Sequence, residues 1–211
     1  MYVLVAGAMV LSLVSMNAKA GGADARISIG AELGLPMGTF GDGSSLGIGG
    51  SLRYEMPMGD NLALMGTVGF LSFSGKDITS GVPGYSYTSK SSLTMIPIQV
   101  GAKYYFTEQQ NGFYAMAQLG LTLANYKNEN TIDIAGTKTT VSGSASSSGL
   151  SYAPGLGYHL ASLDFGLSYQ LFSQTVSSSY TNPFTGLTST VSATSTGSYL
   201  GVRIAYVLGG K

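Results

Sequence analysis

The feature that most constrains this chain is a two-residue alternation of apolar with small or polar side chains over residues 93–123. The apolar positions are Ile96, Ile98, Val100, Ala102, Tyr104 and Phe106, then Phe113, Ala115, Ala117, Leu119, Leu121 and Leu123. A short polar segment, residues 107–112, separates the two runs. Period-two alternation on both sides of a tight connection predicts a β-hairpin, and about ten residues per strand suits a tilted transmembrane strand.

The same unit recurs along the rest of the chain and predicts eight strands in all. They cover residues 26–35, 45–56, 62–73, 93–106, 113–123, 150–160, 163–172 and 198–208. A Gly-rich loop is predicted at 38–43, and the other connections alternate between short turns and long polar segments at 74–92, 124–148 and 173–196. An even strand count with this alternation is typical of a transmembrane β-barrel.

The long polar segments are rich in Ser and Thr and could be low-complexity linkers, but each has a turn signal near its middle. Pro83 followed by Gly84 suits the central positions of a type II turn. We interpret 124–148 as two strands that continue beyond the membrane to a turn at Ala135 and Gly136. All three segments are therefore predicted to be hairpin tips.

Two assignments of the barrel faces are open, since a soluble lipocalin-like barrel would place the apolar parity inside. Charged residues make up only 9% of the chain, against roughly 25% in a soluble domain. Those within the predicted strands all fall on the polar parity: Glu32, Arg53, Glu55, Lys103, Asp164 and Arg203. Because a lipid-facing Arg or Lys at the bilayer midplane costs roughly 2–4 kcal/mol, this pattern favours apolar side chains facing lipid. Aromatic residues on the apolar parity near the short turns predict an interfacial girdle: Tyr54, Phe106, Phe113, Tyr158, Phe165 and Tyr206.

The amino terminus predicts export. Residues 2–14 are almost wholly apolar and residues 18–20 form an Ala-Lys-Ala cleavage motif, which indicates a signal peptide at 1–20 and a barrel domain at 21–211. No Lys or Arg precedes the apolar run. A short membrane anchor is the alternative, but about 14 apolar residues are too few to span a bilayer. The lack of cysteine excludes disulfides and thiolate metal sites.

Inward-facing charges concentrate toward the short-turn ends and predict an ion network in the lumen. Its members are Glu32, Arg53, Glu55, Lys103, His159, Asp164 and Arg203. The lumen of an eight-stranded barrel is only just filled by side chains, so paired charges there would plug it. His159 faces Asp164 across a short turn. A hydrolytic triad with Ser168 or Ser151 is the alternative, but an ion pair is the favoured interpretation, and neither a metal nor a cofactor is expected.

The predicted signal peptide, the Gly-rich strand at 46–54 and the eight spans resemble small outer-membrane β-barrel proteins. The kinds most similar are the OmpA transmembrane domain, OmpX, OmpW and the small barrels of Bacteroidetes-type bacteria. The carboxy-terminal assembly signal of that family is matched by Tyr199, Gly201, Ile204 and Tyr206. The family normally ends on the aromatic residue, whereas residues 207–211 follow here.

This resemblance implies an all-β fold: an eight-stranded antiparallel up-and-down transmembrane barrel with short periplasmic turns and longer extracellular loops. It also implies residence in the outer membrane of a Gram-negative bacterium, in contact with outer-membrane lipid and delivered by the barrel-assembly machinery.

The expected function is a structural or surface-interaction role for a monomeric barrel with a plugged lumen, with an extracellular ligand or surface partner that the sequence does not identify. The alternative is a narrow channel for small or hydrophobic solutes. An enzyme is not expected. Ten Lys and Arg residues against ten Asp and Glu residues give no reason to expect nucleic acid as a partner.

Overall fold

The computed structural model describes residues 25–107, 110–181 and 188–208. The elements are β1 (Arg26–Met37), α1 (Gly38–Gly43), β2 (Ser44–Pro57), β3 (Leu62–Gly75), β4 (Ile78–Val82), β5 (Tyr85–Tyr105), β6 (Gly112–Ile134), β7 (Thr137–Leu160), β8 (Leu163–Thr181) and β9 (Thr188–Leu208). No helix within the described ranges has the length and apolar character needed to cross a membrane. The predicted signal peptide lies outside the described residues.

Eight of these strands form a closed antiparallel ring. Neighbouring strands pair in sequence order, β3 pairs with β5, and β1 pairs with β9 to close the barrel. The remaining strand, β4, pairs with β5 alone in the described part of the chain and lies at the long-loop end. The predicted eight-stranded up-and-down barrel is therefore confirmed. Closure satisfies the backbone hydrogen bonds between strands, as a lipid environment requires.

The alternation of side chains places the apolar parity outside and the polar parity inside. Val100 and Leu119 are 58% and 65% exposed, whereas Arg53 and Lys103 are 2% and 0% exposed. Exposed apolar residues cover the barrel wall on every side, far more than a soluble monomer presents to water. The predicted girdle residues Phe106 and Phe113 are also exposed at the short-turn end, and the ring centroids of Phe113 and Tyr158 are 4.7 Å apart.

Three connections differ from the sequence prediction, and one of them, the polar segment 173–196, contains the outer parts of β8 and β9. Residues 38–43 were predicted as a loop and form the short helix α1 instead. The polar segment 74–92 contains β4 and the outer part of β5, since backbone pairing continues where lipid no longer demands an apolar face. The predicted turn between them is present, and Gly84 has the positive φ of 82° that a type II turn needs.

Five strands extend far beyond the length that crosses a bilayer, and two of them, β8 and β9, contain 19 and 21 residues. β5, β6 and β7 contain 21, 23 and 24 residues, whereas a tilted transmembrane strand needs about 9–11. At roughly 3.3 Å per residue, β6 is about 75 Å long. The predicted outer hairpin is confirmed, with Ala135 and Gly136 in its turn at positive φ. We call residues 85–94, 125–134 and 137–148, together with β4, the outer extension.

Candidate functional site in the barrel lumen

A cluster of buried charges, centred on Lys103, crosses the lumen near the short-turn end. The Lys103 Nζ lies 2.6 Å from Glu55 Oε1 and 2.6 Å from Asp164 Oδ2. It also lies 4.0 Å from the centroid of the Tyr114 ring, where a cation–π contact is favourable. Because β2, β5, β6 and β8 supply these groups, the cluster ties non-adjacent strands together across the barrel.

Asp164 is the carboxylate that most of the lumenal cations share. Its Oδ1 accepts a hydrogen bond from the Tyr114 hydroxyl at 2.9 Å and one from Arg203 Nη1 at 3.4 Å. The Nη1 of Arg53 lies 3.8 Å from the same oxygen. With Lys103 on its other oxygen and only 1% of its surface exposed, Asp164 is a buried charge whose stability depends on its partners.

Arg203 and Arg53 extend this network toward β1 and β3. Arg203 Nε donates to Ser51 Oγ at 2.8 Å and lies 3.7 Å from Glu32 Oε1. Arg53 Nε donates to Thr67 Oγ1 at 3.1 Å. The network contains as many cations as carboxylates: Arg53, Lys103 and Arg203, with Glu32, Glu55 and Asp164. We call these six residues the ion layer.

His159 belongs to a different cluster. It is the backbone partner of Asp164, but its ring nitrogens do not contact that carboxylate. Its Nδ1 lies 3.2 Å from Arg26 Nη1 and its Nε2 lies 2.9 Å from the Ala161 carbonyl. Because a carbonyl oxygen can only accept, the Nε2–H donates to Ala161. The Nδ1 atom lies between a donor, Arg26 Nη1, and an acceptor, the Gln110 carbonyl at 3.1 Å. The structure therefore brings together neither the expected His–Asp ion pair nor a Ser–His–Asp triad.

Arg26 and Gln110 close the short-turn end beside His159, and sequence reasoning missed both. Arg26 Nη1 donates to the Gln110 carbonyl at 3.1 Å. Gln110 has a positive backbone φ of 51°. Its side-chain Nε2 donates a hydrogen bond to the Gly59 carbonyl at 2.8 Å. Arg26 shares the inward parity of Glu32 and could have been found from it, whereas nothing in the polar turn marked Gln110. We call Arg26, Gln110 and His159 the basal cap.

Uncharged polar side chains occupy the middle of the lumen. Gln99 Nε2 donates to Ser151 Oγ and to Gln170 Oε1, both at 3.1 Å. The Thr67 hydroxyl donates to Gln118 Oε1 at 2.7 Å. The side chains of Thr67, Gln99, Gln118 and Gln170 line a cavity of about 20 Å³, which is room for little more than one water molecule.

An aromatic layer fills the lumen toward the long-loop end. Phe40 of α1 packs edge-on against Phe73 and Phe172, with ring centroids 5.2 and 5.3 Å apart. Tyr199 lies 5.4 Å from Phe73, and apolar side chains pack around the rings: Leu71, Leu93, Met95 and Ala124. Phe73 and Phe172 could have been found from the sequence, because each is a large apolar residue at an inward position of its strand. Phe40 lies in a predicted loop, where the alternation pattern gave no such signal.

The residues of the predicted assembly signal divide between the two faces of β9. Tyr199 is buried in the aromatic layer and Gly201 is also buried, whereas Ile204 and Tyr206 are exposed on the lipid-facing side. The strand runs on to Leu208, which pairs with Ile27 of β1. In the described ranges, no group of three or more His, Cys, Asp or Glu side chains is placed to hold a metal ion.

Comparison with known proteins gives a family and several similar folds. The family model for the outer membrane protein beta-barrel domain matches residues 6–182. OprG from Pseudomonas aeruginosa is 15% identical over 90% of this chain and 98% of that chain, with a TM-score of 0.48. The N-terminal β-barrel domain of OprF from the same organism is 15% identical over 89% of this chain and 100% of that chain, with a TM-score of 0.47. Ail, the attachment invasion locus protein of Yersinia pestis, is 15% identical over 87% and 97%, with a TM-score of 0.44. No curated protein sequence matches the chain.

Proposed function

This chain belongs to the outer membrane protein beta-barrel domain family, and from that premise we propose that it is a non-conducting, non-enzymatic barrel that works at the outer surface. It resides in the outer membrane of a Gram-negative bacterium. Its proposed role is to hold the outer extension above the membrane as a structural or interaction surface. The observation that carries the proposal is the contrast between a filled lumen and a long exposed sheet.

Three successive layers of side chains support a lumen that does not conduct. An ion entering from the periplasm meets the basal cap and then the ion layer, where the Lys103 ammonium is already held by two carboxylates at 2.6 Å. Beyond the cavity of about 20 Å³, it meets the aromatic layer, where a charge loses its hydration without gaining partners. Steady conduction would require all three layers to rearrange.

Free strand edges in the outer extension support a surface-interaction role. Pairing between β7 and β8 ends, in the described ranges, at Ser148 and Thr175, so residues 137–147 pair with β6 alone. β4 likewise pairs with β5 alone among the described residues. An unpaired edge presents backbone donors and acceptors to which an extended segment of a partner can add as a further strand. The proposed partner is therefore an extracellular protein segment in a β conformation.

Conductance in planar bilayers tests the closed lumen. The purified, refolded barrel should give no steady channels under conditions in which a general porin, measured in the same membranes, gives clear current steps. Stable ohmic channels from the unmutated protein would refute the closed lumen and favour a narrow channel for small or hydrophobic solutes.

A shortened variant tests the outer extension. Replacing residues 127–144 by Asn-Gly joins the strands at the paired positions Tyr126 and Ala145, with a dipeptide suited to a two-residue hairpin. The variant should still shift in apparent mass on heating before SDS electrophoresis, as closed barrels do. On an array of extracellular proteins and peptides, the variant should lose the binding that the full-length barrel shows. Undiminished binding by a correctly folded variant, which retains β4, would refute the role of the β6–β7 part of the extension.

A further inference from the structure

Two open depressions adjoin each other on the outward face of the barrel wall, at the base of the outer extension. The lower one has a volume of about 580 Å³ and is lined by residues that include Ile96 and Leu123. The upper one, of about 490 Å³, is lined by residues that include Lys90, Lys127 and Glu129. Both cross β5, β6 and β7, at neighbouring positions on each strand. We call the continuous surface of residues 90–96, 123–129 and 142–148 the outer groove.

Strand alternation shows that the outer groove is continuous with the lipid-facing surface. On β6, Leu119 and Leu121 face outward with 65% and 52% of their surfaces exposed. Leu123, Asn125 and Lys127 continue that parity toward the tip. Lys127 is four positions further along the strand than Leu123, or about 13 Å. Lys127 therefore stands just beyond the apolar belt, at the level of the outer-leaflet headgroups.

The polar end of the groove carries a net positive charge, with Glu129 as the cross-strand neighbour of Lys90. Lys90 and Lys127 are both exposed, and in the described part of the chain neither ammonium forms an ion pair or hydrogen bond. Glu129 is the one carboxylate among the lining residues of the described structure. Two cations against one carboxylate leave the upper depression net positive.

Small polar side chains form the β7 side of the groove. Ser142, Ser144 and Ser146 occupy its outward parity, and Asn125 Nδ2 donates to Ser146 Oγ at 2.9 Å. Because β7 pairs with β6 on the side away from β5, these small side chains leave the surface low beside the longer side chains of β6. Hydroxyl and amide groups at this level can also donate to phosphate oxygens or to a sugar headgroup.

We propose that the outer groove binds a phosphorylated lipid of the outer leaflet. An acyl chain lies against Ile96 and Leu123, and the phosphate lies between Lys127 and Lys90. The direction of the groove carries this assignment. It runs from apolar inside the membrane to cationic outside it, in the order in which a lipid presents its chain and its headgroup. A soluble anion would use the cationic end alone.

Lipid titration with charge-neutralised variants tests the site. The full-length barrel is reconstituted in phosphatidylcholine nanodiscs, and its affinity for fluorescently labelled bisphosphorylated lipid A is measured. Lys127→Gln should weaken binding about fivefold and Lys90→Gln/Lys127→Gln about 25-fold, since a lysine near a lipid phosphate contributes roughly that factor. Lys138→Gln is the matched control, because Lys138 lies at the hairpin tip, opposite Asp133 and outside the groove. Heat-dependent migration on SDS gels checks that each variant is folded.

Two further ligands identify what the groove recognises. Dephosphorylated lipid A should bind at least tenfold more weakly than the phosphorylated form, and millimolar inorganic phosphate should not displace the lipid. Equal affinity for the dephosphorylated lipid, or an equal loss in Lys138→Gln and Lys127→Gln, would overturn the phosphate assignment. Complete displacement by inorganic phosphate would overturn the lipid assignment, because it would show that the cationic end alone is the site.

Discussion

Asp164→Asn is the perturbation that most directly tests the ion layer. The substitution preserves the shape of the side chain but removes one negative charge. Asp164 lies 2.6 Å from Lys103, 3.4 Å from Arg203 and 3.8 Å from Arg53, and all of these side chains are buried. After the substitution, three cations remain against the carboxylates of Glu32 and Glu55.

The expected loss of stability is about 3–5 kcal/mol. One pair of unit charges about 4 Å apart is worth roughly 4 kcal/mol at an effective dielectric constant of 20, and Asp164 faces three cations. The desolvation cost of its own carboxylate disappears, which offsets part of that loss. Removing one partner of a buried pair typically costs about 3–5 kcal/mol, because the opposite charge stays buried without compensation.

Urea unfolding of the barrel in lipid vesicles measures this free energy. The chain contains no Trp, so far-ultraviolet circular dichroism, together with heat-dependent migration on SDS gels, reports the folded fraction. Glu129→Gln, at an exposed position, is the matched charge control and should change the free energy of unfolding by less than about 0.5 kcal/mol.

A double variant separates charge balance from packing. Lys103→Met/Asp164→Asn restores equal numbers of cations and carboxylates within the ion layer, and should destabilise the barrel less than the sum of the two single changes. Either a loss below about 1 kcal/mol in Asp164→Asn or strict additivity in the double variant would refute a coupled ion layer.

Three other predictions concern the membrane face, the signal peptide and assembly. Val100→Arg should destabilise the barrel by roughly 2–4 kcal/mol in the same unfolding assay, because Val100 faces lipid. Val141→Arg, at a similarly exposed site in the outer extension (64% against 58%), should be nearly neutral, and the opposite ranking would mean that the faces are assigned backwards. The mature protein should begin at Gly21, so an intact mass that retains residues 1–20 in outer-membrane extracts would contradict the predicted cleavage. Tyr206→Ala should lower the amount of folded barrel in the outer membrane if Tyr206 is part of the assembly signal, and unchanged levels in fractionated membranes would exclude it.

The sequence by itself determined which face of each strand meets lipid. Val100 and Leu119 alternate with inward residues such as Lys103, and a single two-residue period allows only two assignments of the faces. The high cost of charge in lipid then decides between them. Local pattern was sufficient here because both constraints act on each strand separately.

Only the tertiary structure decided which inward side chains meet. Lys103 contacts Glu55 and Asp164, which come from strands elsewhere in the ring, whereas His159 contacts Arg26 rather than its backbone partner Asp164. Contacts across a lumen depend on the tilt and stagger with which the sheet closes. Those quantities are properties of the whole ring, so the spacing of residues within one strand cannot specify them.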